Sequence, residues 1–200
     1  HVSGDDIIVI PNGYNAVAKK EFAKPDAAYI MAVTSALPHK NAEGIVKSYE
    51  KYCHMTDSPL PLTIVGIDDC SAFTSDSLTM KNITCIRYVE KNEDFHQLIY
   101  GASVFLFLSL IEGFGFPPIE AMQLGTVVVC SDTSSLPEVA GDAAVYVNPE
   151  EYGKVARELA GILADDDRRS ALRQKGLENV KRFSWDKTGD LYKKVLFPFQ

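Results

Sequence analysis

The sequence predicts an α/β protein: a Rossmann-like, doubly wound parallel sheet of about six strands, folded as one domain. Three observations predict it. Short apolar runs rich in β-branched residues alternate with segments of 3.6-residue apolar spacing, which is the pattern of βαβ units. The most apolar run, Val104 to Ile111, is continuous rather than alternating, so it reads as a parallel strand buried on both faces. Turn and capping residues punctuate the runs. A chain of 200 residues with 46% hydrophobic content is enough for one such core.

Taken in order, Ile7 to Ile10 reads as a strand stub closed by Asn12-Gly13. Tyr29 to Val33 is the next strand. Asn41 then caps a helix whose apolar residues Ile45, Val46, Tyr49, Tyr52 and Cys53 share one face. Leu62 to Val65 is a strand ending at Gly66. A polar loop with Ser71, Ser75 and Ser77 leads to a strand from Ile83 to about Val89. A helix from about Asn92 to Tyr100 precedes the buried strand Val104 to Leu108. A Gly/Pro loop, a helix around Ile119 to Leu124 stopped by Gly125, and the strand Thr126 to Cys130 follow. A short helix near Leu136 and the strand Ala143 to Val147 complete the sheet. Three helices close the chain: one through Tyr152 to Leu163, one from about Asp167 to Phe183, and one from Trp185 to about Phe197, capped by Ser184.

Charge and cysteine usage narrow the function classes. The net charge of -7 is spread along the chain, which disfavours nonspecific contact with nucleic acid or anionic lipid. A phosphate ligand would then be held locally, by a few cations and backbone N–H groups. The cysteines Cys53, Cys70, Cys85 and Cys130 form no CxxC pair and read as reduced core thiols, neither a disulfide frame nor a metal site. His1 to Ile10 lacks the signal-peptide pattern, and no stretch approaches the roughly 20 apolar residues of a membrane span. A cytoplasmic protein is the expectation.

In doubly wound sheets ligands bind at the carboxyl ends of the strands. Three loops there hold candidate residues. Thr34 to Asn41 carries Ser35, His39 and Lys40 at a helix start, where free N–H groups favour anions; it is either a diphosphate clamp or a solvated lysine. Ser109 to Glu120 places Glu112 at the tip of the buried strand and Glu120 one turn into a helix. Gly113 and Gly115 between them allow close backbone approach. Two carboxylates over exposed amides suit a polyhydroxyl ligand, whereas the alternative is a Gly-rich turn with a helix-dipole Glu at each end. The third loop, Ser131 to Glu138, is rich in capping residues and reads as structural.

The run EGFGFPPIEAM, with Glu112 and Glu120 eight positions apart, resembles the EX7E signature of retaining GT-B glycosyltransferases of family GT4. The segment SDTSSLPEVAGDAAVYVNP is similar to the stretch that follows it in mannosyl- and rhamnosyltransferases of that family. VIPNGYN, the HKN tripeptide, the Ile64-Val65-Gly66 strand end and RFSW match in the expected order, across essentially the whole chain. The resemblance implies one half of a GT-B fold: residues 1–200 as the C-terminal donor-binding domain, with 1–15 leading in from an absent N-terminal acceptor domain.

It further implies transfer of a hexose from a nucleotide diphosphate sugar, with retention. Glu112 would meet the hexose and Glu120 the ribose. Backbone groups of Gly113, Phe114, Gly115 and Phe116 would meet hexose and phosphate oxygens. Lys40 would neutralise the diphosphate, and Tyr88, Val89 and Glu90 would hold the base. Catalysis falls to Glu112 and Lys40, with no metal or other cofactor. The family usually pairs that lysine with an arginine, at the places held here by Ser35 and His39.

The resemblance favours GDP-mannose, with UDP-hexoses or dTDP-rhamnose as alternatives, and a glycan or lipid-linked acceptor. The chain alone would have little or no transferase activity, and any membrane contact would fall to the absent half. A dinucleotide-binding GxGxxG after the first strand and a P-loop GxxxxGK[ST] are both missing. A glycosidase would need its carboxylates across an open cleft. The remaining alternative is a noncatalytic nucleotide-sugar-binding or scaffolding module of the same fold.

Overall fold

The computed structural model describes residues 7–17 and 22–197. Six strands form one fully parallel sheet: β1 (Ile30–Val33), β2 (Leu62–Val65), β3 (Ile83–Ile86), β4 (Val104–Phe107), β5 (Val127–Ser131) and β6 (Ala144–Val147). Their spatial order is β3-β2-β1-β4-β5-β6. Register is fixed by pairs such as Ala32 with Ile64 and Ala32 with Leu106.

Alternate residues of each strand point to opposite faces, and both faces are covered. On one side Ile30, Ala32, Leu106 and Val129 pack against Ile45 and Tyr49 of α1 (Ala42–Cys53) and Val155 and Leu159 of α6 (Tyr152–Ala164). On the other, Met31, Phe105, Phe107 and Val128 meet Ile99 of α3 (Asn92–Gly101), Ile119 and Met122 of α4 (Phe116–Gln123) and Leu136 of α5 (Leu136–Ala140). Central strand β4 is buried throughout, as its uninterrupted apolar run predicts.

Several expectations are corrected. Ile7 to Ile10 is not a strand: the segment pairs with no strand of the sheet, and Ile7, Ile8 and Val9 are exposed rather than packed on it. The expected polar loop before β3 contains α2 (Ser77–Asn82), whose cap Asp76 accepts from the Thr79 N–H at 2.8 Å and its hydroxyl at 2.7 Å. Six residues are too few to show a helical period. Strand β3 stops at Ile86, where pairing with β2 ends, rather than near Val89. The predicted helix to Phe183 is α7 (Asp166–Asn179) followed by a 3-10 turn, Val180–Arg182. The last helix, α8 (Trp185–Leu196), has the expected Ser184 cap, which accepts from the Lys187 N–H at 3.2 Å.

The cysteine reading fails for one pair: Cys70 and Cys85 form a disulfide, with Cα atoms 6.8 Å apart. Parallel pairing sets β3 beside β2, and the chain leaving β2 brings Cys70 within reach of β3. Cys53 and Cys130 are free and buried; burial pushes the Cys130 thiol up to about 12.

The lead-in and the last helix meet. The Thr188 hydroxyl donates to the Pro11 carbonyl at 2.9 Å, and the Trp185 indole N–H to Asn15 Oδ1 at 3.0 Å. A Cβ at Gly13 would lie 2.2 Å from the Trp185 nitrogen, so glycine is required at that crossing. The two sequence motifs at opposite ends of the chain are thus packing partners.

Candidate functional site

The strand order reverses between β1 and β4, and a doubly wound sheet opens a crevice at the carboxyl ends of such a pair. The loop leaving β1 turns toward α1 and the loop leaving β4 toward α4, so the crevice lies between the two loops that hold the candidate residues.

Lys40 is fixed through its own backbone. The Thr34 hydroxyl donates to the Lys40 carbonyl at 2.8 Å, and a 3-10 turn over Pro38–Lys40 presents the side chain. The next residue, Asn41, has φ 53°, a left-handed conformation that asparagine tolerates better than most residues. Its Oδ1 accepts from the Gly44 N–H at 3.1 Å and caps α1, while its Nδ2 donates to the Leu108 carbonyl at 2.9 Å. The Leu110 N–H donates to the His39 carbonyl at 2.8 Å. The β1 and β4 loops are therefore tied together by two hydrogen bonds beneath the crevice.

That tie brings the Lys40 ammonium to 2.7 Å from Glu112 Oε1. The side chains are 27% and 11% exposed, so the pair is shielded but open on one side. The sequence reading has both residues facing a ligand; the structure adds that each neutralises the other in the free protein. Ser35 accepts from the Leu37 N–H of its own loop at 3.4 Å.

The Glu112 loop is a shaped nest. Gly115 has φ 99°, where other residues are strained, and a Cβ there would lie 2.6 Å from Leu136 Cδ2. A Cβ on Gly113 would meet nothing within 4 Å, so the protein leaves open space beside it. Among the described residues no acceptor takes the N–H groups of Gly113, Phe114 or Gly115. Phe116 opens α4, whose first turn has unbonded N–H groups by construction. The Phe114 ring is wedged edge-on against Phe183, 5.3 Å away, and beside Phe116 at 4.9 Å. The phenylalanine of RFSW thus supports the loop from behind.

Glu120 is displaced from the Lys40–Glu112 pair. It lines a second cavity, of about 380 Å³, with Asn15, Val17, Phe22, Asn92, Phe95 and His96. Burial raises its carboxyl above the usual carboxylate range, and burial lowers the His96 imidazole. Beyond the end of β3, Tyr88 is exposed, and Val89 and Glu90 lead to the Lys91 N-cap of α3, whose first turn forms part of that cavity. Sequence reasoning did not anticipate the walls supplied by Asn15, which ends the VIPNGYN run, or by Phe22 and His96, which come from distant segments without a motif. Among the described residues, no group of three or more His, Cys, Asp or Glu side chains is placed to hold a metal ion.

A fully parallel, doubly wound sheet with an ion pair at its switch point, and with amides beside it that have no acceptor among the described residues, defines a Rossmann-like α/β domain. Residues 15–179 match the family described as glycosyl transferases group 1, and the chain belongs to that family. The O-antigen chain mannosyltransferase B of Escherichia coli is 33% identical over 163 residues, covering 79% of this chain and 42% of that protein. The O-antigen chain mannosyltransferase RfbU of Salmonella typhimurium is 32% identical over 164 residues, covering 76% and 42%. This chain thus spans less than half the length of these relatives. In fold, it is similar to the α,α-trehalose 6-phosphate synthase of Burkholderia multivorans, with a TM-score of 0.72 and 14% identity over 83% of this chain and 42% of that one. The fold is the Rossmann-like half shared by GT-B glycosyltransferases.

Proposed function

We propose that this chain is the donor-binding, C-terminal domain of a retaining hexosyltransferase of family GT4, and that its donor is GDP-mannose. The observation that carries the reading is the Lys40–Glu112 pair at the β1/β4 switch point, beside amides that have no acceptor among the described residues. The donor choice rests on the mannosyltransferase relatives and on the segment after Glu120; UDP-hexoses and dTDP-rhamnose are the alternatives.

In this reading the diphosphate replaces Glu112 as the partner of Lys40. A ligand with several charged oxygens competes well against one carboxylate, and the exchange frees Glu112 to accept hydrogen bonds from hexose hydroxyls. The N–H groups of Gly113 to Phe116 bind hexose and phosphate oxygens, close to the α4 N-terminus, where negative charge is favoured. Glu120 accepts from the ribose hydroxyls in its cavity, and the turn at Tyr88, Val89 and Glu90 holds the base. As the sugar–phosphate bond breaks, charge builds on the departing diphosphate. Lys40 and these amides are positioned to stabilise it, and fixed dipoles aimed at developing charge are the strongest aid to catalysis that such a site can offer. His39, rather than an arginine, stands beside the lysine, so less permanent charge is available there. No metal or other cofactor is required.

The acceptor, a glycan or lipid-linked glycan, would bind to an N-terminal domain that completes the cleft, and turnover would require both domains. Calorimetric titration with GDP-mannose, UDP-glucose, UDP-GlcNAc and dTDP-rhamnose tests the reading, alongside Glu120→Ala. Loss of hydrogen bonds to a charged group costs about 1.5–3 kcal/mol, roughly 10- to 150-fold in affinity. One preferred donor, weakened to that extent by the substitution, supports the assignment. Equal binding by both proteins removes Glu120 from the site.

A further inference from the structure

The loop after β5 is the one segment singled out in the sequence that the donor reading leaves without a role. Three consecutive hydroxyls there each take a backbone group of the Glu112 loop. Thr133 Oγ1 donates to the Leu110 carbonyl at 3.0 Å. Ser134 Oγ accepts from the Glu112 N–H at 3.0 Å. Ser135 Oγ lies 2.9 Å from the Glu112 carbonyl and 3.0 Å from the Phe114 carbonyl, a donor shared between two acceptors.

We infer that Thr133, Ser134 and Ser135 form a row of positioning residues that set the Glu112 carboxylate and select which amides of the nest remain for the donor. The inference rests on the donor reading above. Its geometry is selective. Glu112 has both its N–H and its carbonyl engaged by the row, so its backbone is fixed and its side chain is what remains to act. The row reaches Phe114 only through its carbonyl. With the two carbonyls drawn toward the β5 loop, the N–H groups of the same two peptides, those of Gly113 and Gly115, are left without acceptors among the described residues. Ser134 pays for its contact with a left-handed backbone, φ 54°, unusual for serine. That strain is borne where the side chain meets the loop, as expected of a residue retained for its contact. None of the three hydroxyls needs to touch the ligand.

The test uses Ser135→Ala and Ser135→Thr, the second keeping the hydroxyl, with Ser134→Gly and Ser134→Asn as a second pair. Glycine relieves the backbone but loses the acceptor, whereas asparagine tolerates the left-handed region and restores one. Two readouts are taken. The first is amide hydrogen exchange at Leu110 and Glu112, whose N–H groups are hydrogen-bonded in the free protein, and it needs no ligand. The second is affinity for the best-binding nucleotide sugar of the panel and for its nucleoside monophosphate.

Ser135→Ala should accelerate exchange in the loop and weaken the nucleotide sugar about five- to tenfold, the effect of one lost hydrogen bond, while leaving the monophosphate unchanged. Ser135→Thr and Ser134→Asn should recover most of both. Unchanged exchange in Ser135→Ala and Ser134→Gly overturns the inference, as does equal weakening of sugar nucleotide and monophosphate. Altered exchange with no nucleotide binding by the wild type would leave the loop brace standing and defeat the donor reading and, with it, the positioning role.

Discussion

At the residue scale, the two glycines of the nest make opposite demands. Gly115 is required by the fold: its φ is 99°, and a Cβ would meet Leu136. Gly115→Ala should cost about 1–2 kcal/mol, read as a lower urea midpoint with an unchanged slope. Gly113 has open space, so Gly113→Ala should fold with wild-type stability yet bind the donor poorly, because the added methyl occupies space the ligand needs. Tight donor binding by Gly113→Ala would remove that position from the site.

Glu120 supplies the pH-dependent prediction at this scale. Burial raises its carboxyl, so the native state holds the proton to higher pH than the unfolded chain does. Between the usual carboxylate pKa and the raised one, the folded state binds more protons, and stability falls as pH rises. Glu120→Gln should therefore be more stable than wild type at pH 7, and the gain should vanish below about pH 4, where both states are protonated. Urea melts at the two pH values check this; a gain of equal size at both would show that ionisation of Glu120 is not its cause. A half-buried carboxylate kept at a cost to stability fits a binding role.

At the scale of elements, legibility followed the length and regularity of the apolar pattern. Strand β4 and helices α1, α6 and α8 were readable because β4 is apolar throughout, α1 and α6 repeat at 3.6 residues, and a capping residue marks α1 and α8. Helix α2 was not, since six residues with only Leu78 and Met80 apolar show no helical period, and the Asp76 cap is their one local signal. The disulfide was hidden because Cys70 and Cys85 are neighbours only after β2 and β3 pair. It closes a loop with a sequence separation of 15, which should contribute about 3 kcal/mol through the unfolded state. Reduction, or the double Cys70→Ser, Cys85→Ser variant, should lower the denaturation midpoint accordingly. A midpoint unmoved by reductant would mean that the two thiols are not joined in solution.

The candidate site was legible as residues but not as an arrangement. The signature run located Glu112 and Glu120, and the helix start located Lys40. That Lys40 and Glu112 pair at 2.7 Å depends on the Asn41–Leu108 and His39–Leu110 contacts, which link segments far apart in the chain. That Glu120 faces a different cavity depends on Phe22 and α3, which no motif marks.

At the scale of the whole molecule, a chain of net charge -7 gathers one shielded cation and a set of free amides at a single point, the carboxyl edge between β1 and β4. Long-range attraction of an anionic ligand is thereby small, so the proposed donor would be held by local contacts. The lead-in residues and α8 meet on one flank, beside the nest, where Pro11, Asn12, Gly113 and Phe114 line a small cavity.

The donor site is tested most directly by mapping backbone amide shifts as GDP-mannose is titrated into the ¹⁵N-labelled chain. Shifts should concentrate at Lys40, Gly113 to Phe116, Glu120 and Tyr88 to Glu90, with the amino edge of the sheet near Ala28 and Ser103 unmoved. Shifts centred on the amino edge, or none at Lys40 and Gly113 under saturating ligand, would contradict a donor site at the β1/β4 switch point.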